Sequence, residues 1–240
     1  MKIEGKNAVR ELLKTETKID KLLVENSLRD GESRALVSEA RAQGVRVQFA
    51  DRAALDRESE NRRHQGLIAY VPDYKYADAD DLLFEAAGRD GLYVVLDGVT
   101  DPHNLGSIIR VCECAGADGL FFADRRAANV TETVMRVSEG AANHLKIARV
   151  GNVNALLDEF KKKGYWVTGA ELGGENIYKA DLRGKCVLVV GGEDTGIKRL
   201  TKEKCDRVVE IPMYGKVNSL NASVACGVAV FEALRQRKGY

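Results

Sequence analysis

A short apolar run meets a glycine-rich loop in the stretch Val189-Val-Gly-Gly-Glu-Asp-Thr-Gly-Ile197. The pattern recurs in Val209-Glu-Ile-Pro-Met-Tyr-Gly-Lys-Val-Asn-Ser-Leu-Asn-Ala-Ser-Val224. The apolar run that starts at Cys186 has the length and branching of a buried parallel strand, and glycine lets a backbone approach a ligand closely. Ligands of α/β sheets bind at the carboxyl ends of strands. We therefore predict two loops at neighbouring strand ends that enclose a binding crevice.

Apolar strands alternate regularly with helical segments from Asp80 onward. This alternation predicts an α/β fold, a parallel sheet with helices on both faces. Within it, the pattern predicts a helix from Leu105 to Ala115 with Asn104 as its N-cap and a helix from Val130 to Ala142. It also predicts a glycine-rich loop from Leu172 to Tyr178.

The amino-terminal part has a different periodicity and predicts a separate, small α/β domain. A break around Pro72, followed by several aspartates, is typical of a linker. We expect a small domain over residues 1–74, a linker and first helix over 75–90, and the larger domain over 91–240. The charged tract from Arg57 to Gln65 should be an exposed loop.

The composition excludes several classes of protein. A formal net charge of +1 over 240 residues gives no general basic surface for nucleic acid, so any RNA contact must come from local clusters. No apolar run is long enough to span a membrane, and the first residues do not resemble a signal peptide, so we expect a cytoplasmic protein. No cysteine spacing suits zinc and the three histidines are dispersed, so we expect no metal site. Because no export signal suggests disulfides, we expect the five cysteines to be reduced.

Three polar residues beside predicted strand ends are candidates for chemistry, each with a plainer alternative. Asn104 could serve only as a helix cap, and Glu193 only as an acid favoured by a helix dipole. Arg110 lies among apolar neighbours and could contact an anion or a ribose, or could be a surface arginine. The pairs Arg62-Arg63 and Arg125-Arg126 are candidate RNA contacts, although such pairs are more often solvated surface.

Three ordered segments closely resemble the motifs of the SpoU (TrmH-like) family of RNA ribose 2′-O-methyltransferases, in the SPOUT class. They are Asp101-Pro-His-Asn-Leu-Gly-Ser-Ile-Ile-Arg110, Gly191-Gly-Glu-Asp-Thr-Gly-Ile197 and Ile211-Pro-Met-Tyr-Gly-Lys-Val-Asn-Ser-Leu-Asn-Ala-Ser-Val-Ala225. Near the amino terminus, Glu4-Gly-Lys-Asn-Ala-Val9 and His64-Gln-Gly66 resemble the small RNA-binding domain that many members carry. The whole arrangement is most similar to the bacterial branch that methylates a guanosine of large-subunit ribosomal RNA.

The resemblance implies a fold and a set of site residues. The family sheet ends in a trefoil knot whose loops hold S-adenosylmethionine, and the enzymes are homodimers that pair their knotted regions, often with both subunits contributing to one site. Carried onto this chain, the cofactor residues are Gly191, Gly192, Ile211, Met213 and Leu220. The catalytic and substrate residues are Asn104, Arg110, Glu193, Ser219 and Asn221. The resemblance implies no metal.

The expected reaction is therefore S-adenosylmethionine-dependent 2′-O-methylation of a ribose, with a guanosine of 23S rRNA as the expected target. Alternative targets are transfer RNA and an antibiotic-resistance site on ribosomal RNA. Alternative classes are a non-catalytic RNA-binding or ribosome-assembly protein and a nicotinamide-dependent oxidoreductase, for which the Gly-x-Gly-x-x-Gly turn is missing. Alignment of the reactants can supply roughly 7–11 kcal/mol, more than a positioned base typically adds. Because a guanidinium stays protonated at neutral pH, we expect Arg110 to act as a cation that stabilises the developing alkoxide.

Overall fold

The computed structural model describes residues 1–15, 17–59, 62–193, 195–217 and 219–239. The chain forms two compact units. The first comprises Met1–Lys75 and Thr131–Gly140, and the second comprises Tyr76–Val130 and Ala141–Tyr240. Residues 131–140 thus pack with the first unit, although the sequence analysis placed them in the larger domain.

The first unit is the predicted small α/β domain. Its main segment contains β1 (Lys2–Glu4), α1 (Lys6–Leu13), β2 (Lys21–Glu25), α2 (Gly31–Ala42), β3 (Val47–Ala50), α3 (Arg52–Glu58) and β4 (Leu67–Tyr70). The sheet order is β1-β4-β2-β3, with β2 parallel to β3 and antiparallel to β4. Side chains alternate across β2: Leu22 and Val24 join the core with α1 and α2, whereas Leu23 packs with Leu55 of α3.

The second unit is built on a six-stranded parallel sheet. It begins with α4 (Ala79–Ala87), β5 (Leu92–Asp97), α5 (Pro102–Cys114) and β6 (Gly119–Ala123). After the chain contributes α6 (Glu132–Val137) to the first unit, the second continues with a 3-10 turn (Ala141–Asn143), β7 (Ile147–Val150), α7 (Val153–Lys162), β8 (Trp166–Asn176), β9 (Cys186–Gly191), α8 (Arg199–Lys204), β10 (Arg207–Glu210) and α9 (Ala222–Lys238). All of its strand pairs are parallel, which confirms the predicted fold class.

The strand order β10-β8-β9-β5-β6-β7 corrects one expectation about the site. The two glycine-containing loops follow β9 and β10, which are not neighbours, because β8 lies between them. Both loops still leave the carboxyl edge of the same sheet. The crevice therefore spans three strands rather than two.

One face of this sheet carries an aromatic core. The rings of Tyr93, Phe121, Phe160 and Tyr165 lie with centroids 5.1 to 6.1 Å apart, in tilted and edge-on arrangements. Such pairs are favourable beyond the area they bury. On the other side, α9 packs against α5 and against β9. Asn104 and Arg110 lie on α5, and Asn221 is the N-cap of α9.

Three local predictions were wrong for physical reasons. Asn104 is not a helix cap: Asp101 caps α5 by accepting a hydrogen bond from the Asn104 amide at 2.9 Å, with Pro102 as the first helical residue. The helix predicted from Val130 to Ala142 is shorter in the structure and covers only α6 (Glu132–Val137), because the backbone turns to positive φ at Glu139 and Gly140. The predicted loop from Leu172 to Tyr178 instead continues β8 as far as Asn176.

The extension of β8 depends on a partner distant in sequence. After a register shift, Val209 and Glu210 of β10 pair with Glu175 and Asn176. A Cβ at Gly174 would lie 2.4 Å from the Val208 carbonyl oxygen, so only glycine permits this approach. Gly174 therefore allows the backbone of β10 to lie close to β8, and it does not indicate a loop.

The charged tract from Arg57 to Gln65 is not uniformly exposed. Residues 60 and 61 lie outside the described chain, but Ser59 and His64 are buried within the first unit. Across the described ranges, no helix is both long enough and apolar enough to cross a membrane.

Candidate active site

The loop after β9 is tied to the carboxyl end of β5. The carboxylate of Asp97, which is 2% exposed, accepts hydrogen bonds from the Lys198 backbone amide at 2.9 Å and from Lys198 Nζ at 2.7 Å. The Gly192 amide donates to the Asp97 carbonyl oxygen at 3.1 Å. A buried carboxylate requires such partners. Asp97 therefore anchors the loop from one side.

A second carboxylate anchors the same loop from β8. Glu171 accepts hydrogen bonds from the Ile197 backbone amide at 2.9 Å and from Lys202 Nζ at 2.8 Å. Neither acid was among the residues predicted for the site. An acid at the end of a buried apolar run was an available signal for Asp97, whereas Glu171 came just before a segment interpreted as a loop.

The glycines of this loop make room for backbone. A Cβ at Gly191 would lie 2.1 Å from the Gly196 carbonyl carbon and 2.3 Å from the Ile197 nitrogen. A Cβ at Gly192 would lie 2.4 Å from the Gly98 carbonyl oxygen. From the sequence, we predicted that these glycines allow a ligand to approach the backbone closely. In the structure they first allow the chain itself to fold tightly, which presents the backbone groups of the loop to a cavity.

A cavity of about 320 Å³ opens between the middle of β8 and the loops that follow β9 and β10. All five residues predicted to bind the cofactor line it, together with Glu193 and Ser219 from the predicted catalytic set. Lining residues that were not predicted include Glu171, Leu172, Thr195, Val209 and Ala225. The walls are largely apolar side chains and backbone, with a few polar groups, which is the usual composition of a small-molecule site.

Asn221 connects three segments at the mouth of this cavity. Its side-chain nitrogen donates to Asn104 Oδ1 at 2.9 Å and to Glu193 Oε1 at 2.5 Å. Its side-chain oxygen accepts from the backbone amides of Ser223 and Val224, so Asn221 is the N-cap of α9. The side chains of α5, of the loop after β9 and of α9 are thus held in one polar network.

Two family models match this chain. The model of the SpoU rRNA methylase family matches residues 91–231, which include the cavity and the polar network. The model described as RNA 2′-O ribose methyltransferase substrate binding matches residues 2–77. The chain belongs to the SpoU rRNA methylase family.

Individual proteins agree with this assignment. A Bacillus subtilis (strain 168) protein, YacO, assigned to the TrmH family of tRNA/rRNA methyltransferases, is 41% identical over 236 residues, 97% of this chain and 94% of that protein. The SpoU methyltransferase AviRb from Streptomyces viridochromogenes, solved with AdoMet, superposes with a TM-score of 0.80 at 26% identity, covering 100% of this chain and 91% of that one. An AdoMet-bound rRNA methyltransferase from Sinorhizobium meliloti superposes with a TM-score of 0.76 at 26% identity, and the match covers 98% of this chain and 86% of that one. This SpoU protein is an RNA methyltransferase.

The structure does not bring every predicted residue of this SpoU enzyme to the cavity. Arg110 lies exposed on α5 and is not among the lining residues. Arg125 and Arg126 are exposed in the loop after β6, at the same carboxyl edge of the sheet. Arg62 and Arg63 are exposed in the first unit. Within the described ranges, no three His, Cys, Asp or Glu side chains are placed to hold a metal ion.

Proposed function

We propose that this SpoU enzyme transfers the methyl group of S-adenosylmethionine to the 2′-hydroxyl of a guanosine ribose in 23S ribosomal RNA. The cavity at the carboxyl edge of the sheet, with the Asn104–Asn221–Glu193 network at its mouth, is the observation that carries the proposal. Because ribosomal RNA is the proposed substrate, the proposal places the enzyme in the cytoplasm.

The cavity fits the methyl donor that SpoU methyltransferases use. Its volume of about 320 Å³ lies in the range of roughly 300–1,000 Å³ that small-molecule sites occupy. Val190, Ile211 and Leu220 supply apolar walls for a flat base, and the backbone of the glycine loop supplies hydrogen-bonding groups. The carboxylate of Glu193 favours a positively charged ligand. We propose Gly191, Gly192, Ile211, Met213 and Leu220 as cofactor-binding residues.

S-adenosylmethionine supplies an electrophilic methyl group on a sulfonium, so the protein must deliver a nucleophilic oxygen in line with it. Asn221 and Glu193 hold a polar mouth at which a ribose hydroxyl could be hydrogen-bonded, and Asn104 fixes the orientation of Asn221. Ser219 adds a hydroxyl at the cavity wall. Positioning of this kind can contribute roughly 7–11 kcal/mol, so we assign these residues to alignment of the substrate.

We assign Arg110 to stabilisation of charge. The guanidinium stays protonated at neutral pH and presents several donors in one plane, which suits a developing alkoxide next to an RNA phosphate. The proton passes from the hydroxyl to an oxygen of the adjacent RNA phosphate as the hydroxyl oxygen attacks the methyl group. Since Arg110 does not line the cavity of its own chain, we propose that the enzyme is a homodimer in which both subunits contribute to one site.

Exposed apolar side chains support a homodimer through the second unit. Val224 and Phe231 are seven residues apart, on one face of α9, and are 51% and 47% exposed. Exposed apolar surface of this kind is typical of an interface. The trefoil knot implied by the family also remains part of the proposal, supported by the segments after β9 and β10 lining one cavity across β8.

Similarity to the Sinorhizobium meliloti rRNA methyltransferase, which covers both units of this chain, supports ribosomal RNA rather than transfer RNA as the substrate. The first unit carries the substrate-binding match, and we propose that Arg62 and Arg63 of that unit, with Arg125 and Arg126 of the second, contact RNA phosphates.

The direct test is methyl transfer from labelled S-adenosylmethionine to purified 23S rRNA, 16S rRNA and transfer RNA, followed by mapping of ribose methylation in cells with and without the gene. We expect one guanosine of 23S rRNA to lose its mark when the gene is removed. A missing mark in transfer RNA would replace the proposed substrate, and transfer to no RNA would favour a non-catalytic role.

A further inference from the structure

The first unit contains a polar cavity that methyl transfer, as proposed above, does not use. Its volume is about 560 Å³, which is large enough for a nucleotide-sized ligand. The cavity is lined by Lys6, Asn7, Glu25, Leu28, Glu32, Arg52, His64, Gln65 and Gly66. All of these residues lie in the segment that matches the substrate-binding model.

The floor of this cavity is held by a buried histidine. His64 is 1% exposed, its Nδ1 accepts a hydrogen bond from the Gly66 amide at 3.0 Å, and its Nε2 lies 3.0 Å from Asp56 Oδ1. Because Nδ1 accepts, the Nε2 proton points to Asp56. A Cβ at Gly66 would lie 2.8 Å from Leu28 Cδ1, so the turn is also packed tightly. The cavity is therefore preformed.

A buried carboxylate faces this cavity without a cationic partner. Glu25, the last residue of β2, is 9% exposed, and its Oε1 accepts a hydrogen bond from Ser27 Oγ at 2.5 Å. It forms no ion pair within the described chain, whereas Glu32 on the same wall pairs with Arg10. Carboxylate oxygens accept hydrogen bonds, and burial of a carboxylate is costly unless donors reach it. Glu25 thus points to a ligand with hydrogen-bond donors.

The same cavity has a cationic side. The side chain of Arg52 is exposed and forms no hydrogen bond or ion pair with the described residues, although its charge helps to lower the pKa of Asp56 one turn away, after the hydrogen bond from His64. The N-terminus of α1 borders the cavity. Gly5, the N-cap residue, has no side chain to accept a hydrogen bond, and the Lys6 amide donates to Gln65 Oε1 at 3.0 Å. A helix N-terminus together with an arginine favours an anionic group.

We propose that this cavity binds one unstacked guanosine nucleotide of the substrate RNA. Guanine is the base whose Watson–Crick edge presents two adjacent donors, N1–H and the 2-amino group, which match the two oxygens of Glu25. Arg52 and the start of α1 face the phosphate. Proteins that recognise RNA sequence read such splayed-out bases on this edge. The inference rests on the proposed function only in taking RNA as the substrate.

The test is a double-mutant cycle that combines removal of the Glu25 carboxylate with removal of the 2-amino group of guanine. Hairpins with a randomised loop are selected for binding to the full-length chain, and each unpaired guanosine of a selected loop is then replaced by inosine, which lacks that amino group. We expect one inosine to weaken binding about tenfold, as for the loss of a hydrogen bond to a charged group. In Glu25→Gln the guanosine hairpin should bind more weakly, and inosine should have little further effect.

Two controls separate this result from a general loss of charge. Glu39→Gln makes the same change on an exposed position of α2 outside the cavity and should keep the guanosine preference. Arg52→Gln should weaken all loops alike and reduce the salt dependence of binding by about one phosphate contact, whereas Arg34→Gln on α2 should not.

The outcomes distinguish this cavity from the reaction itself. If the wild type binds and methylates RNA but selects loops without an unpaired guanosine, or if Glu25→Gln still discriminates against inosine, the assignment of the cavity is wrong and the methyltransferase proposal stands. If the wild type binds none of the hairpins and methylates no RNA, both proposals are overturned.

Discussion

At the residue scale, Asn221 has two roles that substitutions can separate. Its side-chain oxygen caps α9, and its side-chain nitrogen donates to both Asn104 and Glu193. Serine is also a good cap, but a hydroxyl has a single hydrogen to donate. We expect Asn221→Ser to keep nearly the wild-type free energy of unfolding in urea and to lose methyl transfer. Asn221→Ala should lose methyl transfer and about 1 kcal/mol of stability as well.

The full set of measurements is urea unfolding and single-turnover transfer for both variants. Wild-type transfer by Asn221→Ser would show that the links to Asn104 and Glu193 do not matter for the reaction.

Arg110 is the second residue whose role can be tested alone. Lysine keeps the positive charge but loses the planar arrangement of donors. We expect Arg110→Lys to slow single-turnover transfer by about 10²-fold, comparable to the removal of a charge-stabilising donor, while calorimetry shows unchanged affinity for S-adenosylmethionine. Near-normal turnover of Arg110→Lys would mean that charge alone suffices and that the planar role is wrong.

The cysteines should differ in reactivity according to burial. Burial raises the pKa of the Cys205 thiol to about 11 and that of Cys186 to about 12, whereas Cys114 is exposed. Only the thiolate reacts, and a raised pKa leaves little thiolate until the pH approaches that value. With iodoacetamide at pH 8, we expect peptide mass spectrometry to find Cys114 modified first. Equal modification rates for Cys205 and Cys114 would contradict the described packing.

At the scale of elements, the loop after β9 depends on close backbone approach. A Cβ at Gly191 would meet the backbone of Gly196 and Ile197 at 2.1 to 2.4 Å, with no flexible side chain to yield. We therefore expect Gly191→Ala to displace the loop and to weaken binding of S-adenosylmethionine about tenfold or more, measured by calorimetry.

Gly151→Ala is the matched control, because a Cβ there has no neighbour within 4 Å and the φ angle is not positive. It should bind the methyl donor like the wild type. Wild-type affinity in Gly191→Ala would show that the cavity does not depend on the shape of this loop.

At the scale of the whole molecule, the proposed homodimer predicts a mass twice the chain's 26.3 kDa in analytical ultracentrifugation. Phe231→Glu places a charge on the exposed apolar face of α9 and should give monomers. It should also abolish methyl transfer if both subunits build one site. Phe84→Glu changes another exposed phenylalanine, on α4, and should leave both properties unchanged. A dimeric, active Phe231→Glu variant would exclude this face as the interface.

The sequence alone determined the fold class and seven of the sixteen residues that line the cavity. Buried parallel strands require apolar runs, and the segments after β9 and β10 each place several residues close in sequence on the cavity wall. Gly191, Ile211 and Leu220 could therefore be selected from local pattern and family resemblance. The N-cap role of Asn221 was also local, because a cap acts on the next two or three amides of its own chain.

Tertiary structure alone decided what depends on contacts between distant segments. The length of β8 is set by its pairing with β10, and the loop after β9 is anchored by Asp97 and Glu171, which approach it from other strands. The same holds for Glu25, an ordinary strand acid in sequence that becomes a buried carboxylate facing a cavity. Local patterns report on neighbours along the chain, whereas burial and hydrogen-bond partners are set by neighbours in space.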